Sequence, residues 1–255
     1  MITSSERHKY ILEQLSRKGF VRVTEISEQL GVSGATIRKD LRILESQHLL
    51  YRNHGSASLM TPKVVDLPVQ EKSRINSEQK LHIARLADSL IDDDDSLILT
   101  SGSTIESLAL ALTSHGHLNV VTPSIRVGVY LSEKENIDIM MLGGRLVVKS
   151  LSVRDSYSEE GLKYVNCSKM FCSCDGLDVE AGVTTAFVEE ARITSSMMNA
   201  ASQVILLVDS SKIGKSGFGK ICDIARIDVL ITDSGISASV KEQIEELGVQ
   251  VLIAE

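Results

Sequence analysis

The chain has 255 residues, 43% of them apolar and 24% charged, with a formal net charge of -7. That composition belongs to a soluble globular protein of one large or two ordinary domains, and no apolar run approaches the ~20 residues that a bilayer span needs. Charge is uneven: residues 1–60 hold nine Lys/Arg against six Asp/Glu, a balance of +3, which leaves 18 against 28, or -10, for the rest. A locally basic segment on an acidic chain suits a nucleic-acid contact beside a second, differently employed domain.

The opening MITSSERHKY is too polar for a secretory signal, so the expected compartment is the cytoplasm. Helical spacing then marks three helices: Ile11, Leu12 and Leu15 on the first, Ile26 and Leu30 on the second, Ile37, Leu41 and Leu44 on the third. Gly31 suits the left-handed residue that ends the second helix, and Ser33 suits the cap of the third. So short a glycine-containing connection is what a helix-turn-helix requires. With Ile37, Leu41 and Leu44 inward, the wheel turns Ala35, Lys39 and Arg42 outward, flanked by Thr36 and Arg38. Small residues early and cations later let the backbone approach a major groove while the cations meet phosphates. Residues 50–59 alternate around Asn53-His54-Gly55-Ser56, a hairpin that would serve as a wing, with Arg52 and His54 reaching the duplex. The plain alternative is a three-helix structural module with a solvated basic face.

From Arg7 to Leu41 the chain resembles the signature of the DeoR family of bacterial transcription regulators. Arg7, Ile11, Leu15, Ser33, Thr36, Ile37, Arg38, Lys39, Asp40 and Leu41 match with the intervening gaps in register. The resemblance implies a winged helix-turn-helix over residues 1–58, with Thr36, Arg38 and Lys39 as contacts to double-stranded operator DNA. Asp40 faces the core side and would repel phosphate, so its expected role is to orient an arginine.

Pro62 and Pro68 fall in LMTPKVVDLPVQ, and residues 59–76 read as a linker. From residue 77 onward a helix over 77–91 leads into short apolar runs, SLILT, LNVVT, IDIMML, KMFCSC, VILLV, IDVLIT and VQVLIA, mostly separated by helix-like segments. That alternation predicts an α/β, Rossmann-like, mostly parallel sheet over 77–255. The DDDD run at 92–95 reads as a solvated turn, and SHGH, with His115 and His117, as a solvated loop. Cys167, Cys172, Cys174 and Cys222 form no CxxC pair and read as reduced thiols, not as a metal site or disulfide. No cofactor is expected.

Polar residues collect after the strands, where a parallel sheet binds ligands. Ser101-Gly102-Ser103-Thr104 opens a helix whose N-terminus favours an anion. Thr122 and Ser124, Gly143 and Gly144, Asp175 and Gly176 with Asp178, and Lys212 occupy the corresponding positions after other strands. Hydroxyls, acids and a lysine together suit a small, anionic, polyhydroxylated molecule.

Residues 77–233 resemble the sensor domain of DeoR-family regulators, itself similar to ribose-5-phosphate isomerase. SGST looks like the isomerase phosphate loop, DGLD like its DGAD acid motif and DSSK like its lysine loop. GVTTAFVEEARI fits the family segment that would put Thr184, Thr185, Glu189 and Glu190 near the ligand. One departure is Pro123, where the family usually has Asn. The resemblance implies a repressor of a carbohydrate operon, released by a phosphorylated sugar and acting as a homodimer or homotetramer. The alternative is a sugar-phosphate isomerase-like enzyme using Asp175, Asp178, Glu189 and Lys212.

Overall fold

The computed structural model describes residues 2–18, 20–47, 49–53, 55–58, 64, 67–113 and 116–255. The chain divides between Lys63 and Val64 into two compact units.

The first unit runs α1 (Ser4–Lys18), β1 (Phe20–Arg22), α2 (Val23–Leu30), α3 (Gly34–Ser46), β2 (Tyr51–Asn53) and β3 (Ser56–Ser58). The expected hairpin forms, pairing Asn53 with Ser56 and Arg52 with Ala57, and Gly55 in the turn takes φ +75°. An unanticipated third strand, β1, pairs antiparallel with β3. It is three residues long with only Val21 buried, too short for a period-2 pattern to betray it. Ile11, Leu15, Ile26, Ile37, Leu41 and Leu44 form the core with Val21, Val23, Leu50 and Ala57.

One ion pair ties α1 to α3. Asp40 is 2% exposed and receives Arg7 Nε at 2.6 Å and Nη2 at 3.0 Å, with His8 Nε2 at 3.2 Å. Burial alone would raise this carboxyl, but the hydrogen bonds and charges of Arg7 and His8 outweigh it and hold it below its ordinary value.

The second unit opens with α4 (Val69–Lys72) and α5 (Ser77–Asp88), then β4 (Ser96–Leu99), α6 (Ser103–Ala111), β5 (Leu118–Thr122), α7 (Ile125–Ser132) and β6 (Ile137–Met141). There follow β7 (Leu146–Val147), β8 (Ser152–Val153), α8 (Ser156–Leu162), β9 (Cys167–Cys172), β10 (Gly176–Asp178) and β11 (Gly182–Thr185). The chain ends through α9 (Val188–Asn199), β12 (Ala201–Leu207), β13 (Gly219–Cys222), β14 (Val229–Asp233), α10 (Ala238–Glu246) and β15 (Gln250–Ala254).

Seven strands form one sheet in the order β15-β14-β12-β9-β4-β5-β6, and every pairing in it is parallel. Its two faces carry separate cores. Leu97, Leu99, Phe171, Ile205 and Ile231 pack with α5, α6 and α7, whereas Ile98, Met170, Cys172, Leu206 and Leu230 pack with α9 and α10. Strands buried on both faces explain the unbroken apolar runs. The chain leaves β4 towards β5 and β6, then returns to β9 on the other side of β4. Strand order therefore reverses between β4 and β9.

Two expectations need correction. The segment read as a linker is not one connector: residues 67–76 fold onto the second unit, with Val69 4% exposed and its N–H donating to the Lys149 carbonyl. Pro68 precedes α4 instead of breaking structure, since its fixed φ suits a helix start. The DDDD run is not simply solvated. Asp95 is buried and receives Lys169 Nζ at 2.6 Å and the Ser168 hydroxyl at 2.6 Å, while Asp92 meets the same lysine at 2.5 Å. All four cysteines are free, with Cys222 only half-buried, and no metal-ligand cluster occurs among the described residues. His117 stands 3.2 Å from Asp138, and His115 lies outside the described residues. No described helix is long and apolar enough to cross a membrane.

Replacing Arg7 with Ala leaves a buried carboxylate short of its main partner and should destabilise the first unit by about 3 kcal/mol. Arg7→Lys should recover only part, lacking the two-pronged geometry. Because the Asp40 carboxyl is depressed in the fold, its contribution is present above about pH 4 and is lost as pH falls through the folded value. Amide exchange of α3 in the two variants, followed down the pH scale, checks both statements.

Candidate functional site

In the first unit the turn between α2 and α3 has the expected geometry. Gly31 sits at φ 60°, ψ 33°, and the Ser33 hydroxyl accepts the Thr36 N–H at 3.1 Å. Ser33, Ala35, Arg38, Lys39 and Arg42 are exposed and Thr36 half-buried, along one side of α3. No carboxylate neutralises Arg38, Lys39 or Arg42 among the described residues. Arg52 differs: its Nε meets Glu45 Oε2 at 2.7 Å and its backbone N–H meets Oε1 at 3.0 Å, so it pins the hairpin to α3. His54, the other wing candidate, lies outside the described residues.

In the second unit a cleft opens where strand order reverses, outside the carboxyl ends of β4 and β9, as expected for doubly wound sheets. Ser101, Gly102 and Ser103 line it from the β4 side, and Ser173, Cys174 and Asp175 from the β9 side. Lys72, Lys149, Arg154 and Lys212 bring cations to it, and Glu190 adds a second acid. Gly102, at φ 116° and ψ 156°, holds a conformation that L side chains rarely adopt. It precedes α6 without any side-chain cap, so the first amides of that helix remain unspent. The buried hydroxyls of Ser103, Thr104 and Ser173, together with Arg154 Nε, have no hydrogen-bond partner among the described residues. Unpaired buried donors of this kind mark a site made for an acceptor-rich ligand.

The acids are already oriented. Asp175 Oδ1 receives Lys72 Nζ at 2.6 Å, and Oδ2 receives the Thr185 hydroxyl at 2.9 Å and the Ala186 N–H at 3.3 Å. Burial would raise this carboxyl, but Lys72 and Lys212 overcome it and keep the group ionised below its ordinary value. Glu190 behaves oppositely: burial pushes it up, against the pull of Arg154 at 3.2 Å. Arg154 also lies over the Phe187 ring at 5.3 Å and donates to the Ser150 hydroxyl. Lys212 Nζ is fixed on the Cys174 carbonyl at 2.7 Å. Burial drives the Cys174 thiol up to about 12, which removes it from nucleophilic chemistry.

The expected site residues divide. Ser101, Gly102, Ser103, Asp175 and Lys212 line the cleft together. Thr104 is fully buried behind them. Thr185 orients Asp175, while Thr184 binds the Gly176 carbonyl and the Gly217 N–H, which gives Thr184 and Gly176 a role in the small antiparallel sheet β10-β11-β13. Thr122 and Ser124 are fully buried, with Thr122 Oγ1 holding the Ser124 N–H and Ser124 capping α7. Ser124 bridges to Ser152, whose hydroxyl meets that of Ser150, so it reaches the cleft only through that chain. The Gly143 carbonyl accepts the Ser158 hydroxyl, and a Cβ on Gly144 would lie 2.7 Å from Asp155, so this pair shapes a bend over α8. Glu189 is exposed on α9; Glu190 is the glutamate that lines the cleft. Sequence reasoning missed Lys72, Lys149, Ser150, Arg154 and Ser173. Lys72 was hidden in the supposed linker, and Arg154 sits in no motif.

Two family models match the chain: the DeoR-like helix-turn-helix domain over residues 7–63 and the DeoR C terminal sensor domain over residues 75–234. The chain belongs to the DeoR family. This member is 33% identical over 250 residues to the HTH-type transcriptional repressor GlcR of Bacillus subtilis, covering 98% of this chain and 96% of that one. It is 28% identical over 247 residues to the glycerol-3-phosphate regulon repressor of Escherichia coli, covering 97% and 98%. Ribose 5-phosphate isomerase A from Neisseria gonorrhoeae aligns over 53% of each chain at 15% identity, with a TM-score of 0.41. This DeoR-family chain is thus a DNA-binding transcription regulator with a sensor domain.

Beneath the cleft two buried groups carry shifted protonation. Burial, with repulsion from Lys212 and Lys72, lowers Lys80 to about 8; burial raises Glu106 to about 7 against the pull of Arg126 at 3.4 Å. Between its ordinary 4.5 and about 7 the folded chain keeps a proton on Glu106 that the unfolded chain has released, so stability falls as pH rises across that interval. Lys80 does the reverse between about 8 and its ordinary 10.5, where stability rises with pH. Glu106→Gln should flatten the lower limb and, by removing a charge that favours protonated Lys80, start the upper one at lower pH, as read by thermal unfolding of the whole chain across the two intervals.

Proposed function

We propose that this regulator represses a carbohydrate operon and is released when a phosphorylated sugar occupies the cleft between β4 and β9. The observation that carries the reading is the pairing of unspent donors with oriented acids. The α6 amides, the Ser103 hydroxyl and Lys212 offer a phosphate site, and Asp175 and Glu190 offer acceptors for sugar hydroxyls. Relatives named for glycerol-3-phosphate and as repressors support the same direction. Ser33, Ala35, Thr36, Arg38, Lys39 and Arg42 are the proposed operator face, with Arg52 holding the wing. Helix-turn-helix proteins read paired half-sites, so the acting form is a homodimer or homotetramer in the cytoplasm.

An isomerase reading is weaker on chemical grounds. A general base near neutrality needs a pKa close to the operating pH. Lys72 and Lys212 hold the Asp175 carboxyl below its ordinary value, the wrong direction for that role. Turnover of any pentose or hexose phosphate by the purified chain would reverse this judgement.

The test is fluorescence anisotropy on DNA from upstream of the chain's own gene, with a panel of sugar phosphates. One of them should lower affinity; if none does, the released-repressor reading falls. Lys39→Ala should weaken binding across sequences and reduce the salt slope by about one. Lys212→Ala should raise the sugar phosphate needed for half-release by on the order of tenfold, the loss of one charge-assisted contact.

A further inference from the structure

Residues 67–76 are the stretch through which the chain enters the sensor, just after the boundary at Lys63. Several polar ties hold them there. Just upstream, the Val64 N–H donates to the Ser216 carbonyl at 3.3 Å. The Val69 N–H donates to the Lys149 carbonyl at 3.0 Å, Asn76 Nδ2 to Asp209 Oδ1 at 2.9 Å and to the Ser211 hydroxyl at 3.1 Å, and Lys80 Nζ to the Ile75 carbonyl at 2.6 Å as well as to that of Lys72. The last is the ion pair of Lys72 with Asp175 at 2.6 Å. It alone of these joins two charged side chains that both line the cleft, alongside Leu67, Val69, Ser103 and Lys212.

An incoming ligand meets Asp175 with both oxygens occupied, Oδ2 by Thr185 and Ala186 and Oδ1 by Lys72. The Oδ2 partners are fixed on β11 and the turn after it. Lys72 sits on the four-residue α4 and is the partner that can leave. A sugar hydroxyl that binds Oδ1 competes with it. A phosphate oxygen offers the ammonium an acceptor of higher charge. Either exchange breaks the same pair.

We infer that Lys72 is an effector-contacting residue, and that its ion pair with Asp175 is the latch of the entry segment, opened when an anionic, hydroxylated ligand takes over one partner. This rests on the sugar-phosphate reading above. Opening loosens the stretch by which the chain enters the sensor, which is a change a metabolite can impose without touching α3. The neighbouring ties set its extent. Val64 holds the near end of the segment through its bond to the Ser216 carbonyl, and Asn76 and Lys80 hold the far end, so the part that loosens is 67–72.

The test is hydrogen exchange on the full chain, with thermal unfolding in parallel. Without ligand, Lys72→Met should speed exchange in peptides covering 67–73 on the order of tenfold, as the loss of a partly buried ion pair implies, while peptides covering β4 and β9 stay protected. Lys72→Arg should restore wild-type protection. If Lys72→Met exchanges throughout the sensor, Lys72→Gln, which keeps a polar tip without the charge and leaves the Asp175 bonds to Thr185 and Ala186 in place, is read in its place and should loosen 67–73 alone. Unchanged exchange there overturns the latch. The probes are inorganic phosphate and phosphates of three-, five- and six-carbon sugars. One that raises the melting temperature of the wild type should also bring its 67–73 exchange towards that of Lys72→Met. A probe that binds but leaves or increases protection of 67–73 overturns the latch and spares the sugar-phosphate reading. If no probe raises the melting temperature, that reading fails and the latch falls with it.

Discussion

Charges withdrawn from water at the tips of a parallel sheet must be balanced there, and that requirement organises the sensor. Asp175, Glu190, Asp209 and Glu106 are all buried or partly buried near the point where strand order reverses, and each is matched by Lys72, Arg154, Lys80, Lys212 or Arg126. An isolated ion in such surroundings would cost several kcal/mol, so none of these side chains is independent of the others. The balance is not complete. Glu106 stays protonated up to about 7 and Lys80 gives up its proton near 8, so the array sheds charge where pairing falls short. A dianionic ligand of the proposed kind would therefore enter a region already arranged to trade one anionic partner for another.

The first unit uses the same chemistry for the opposite purpose. Arg7 is consumed in holding Asp40, and Arg52 in holding Glu45. Both pairs fix geometry: one sets the approach of α1 to α3, the other the approach of the hairpin. Among the cations left over are Arg38, Lys39 and Arg42, on the outward side of α3. Their selection follows from which carboxylates lie within reach. The basic balance of the N-terminal segment overstates what a duplex would meet, since part of it is spent internally.

How much of this was legible in the sequence depended on the range of the interaction. Strands such as SLILT and VILLV are buried on both faces and announce themselves as unbroken apolar runs, and Gly31 and Ser33 act on neighbours two or three residues away. The Ser101-Gly102-Ser103 turn was legible for the same reason, being local to one strand end. Lys72 was not: its partner lies 103 residues further on, and nothing near it distinguishes a bound lysine from a solvated one. Asp95 was misread because Lys169, 74 residues away, decides whether an acidic run is solvated. The two-residue strands β7 and β8 and the pieces β10, β11 and β13 are too short for any periodicity. Yet they carry Thr185, which aims Asp175, and the bend that brings Arg154 to the cleft.

Position within these networks also bears on how large a response the sensor can deliver. Coupling between a metabolite and DNA affinity in regulators is typically about 1–3 kcal/mol, and a ligand can shift an equilibrium only by its difference in affinity for the two states. One partly exposed ion pair is of that order, whereas the sheet beneath it is far stronger. A response built on Lys72 and Asp175 would thus be strong enough to change occupancy of an operator and too weak to unfold the sensor. The buried Val69 and the Asn76 and Lys80 ties limit the motion to the few residues nearest the cleft. The Val64 N–H bond to the Ser216 carbonyl keeps the upstream end on the sensor as well. What an exchange of the Lys72 pair would loosen is thus a short loop between two fixed points, directly after the boundary with the first unit.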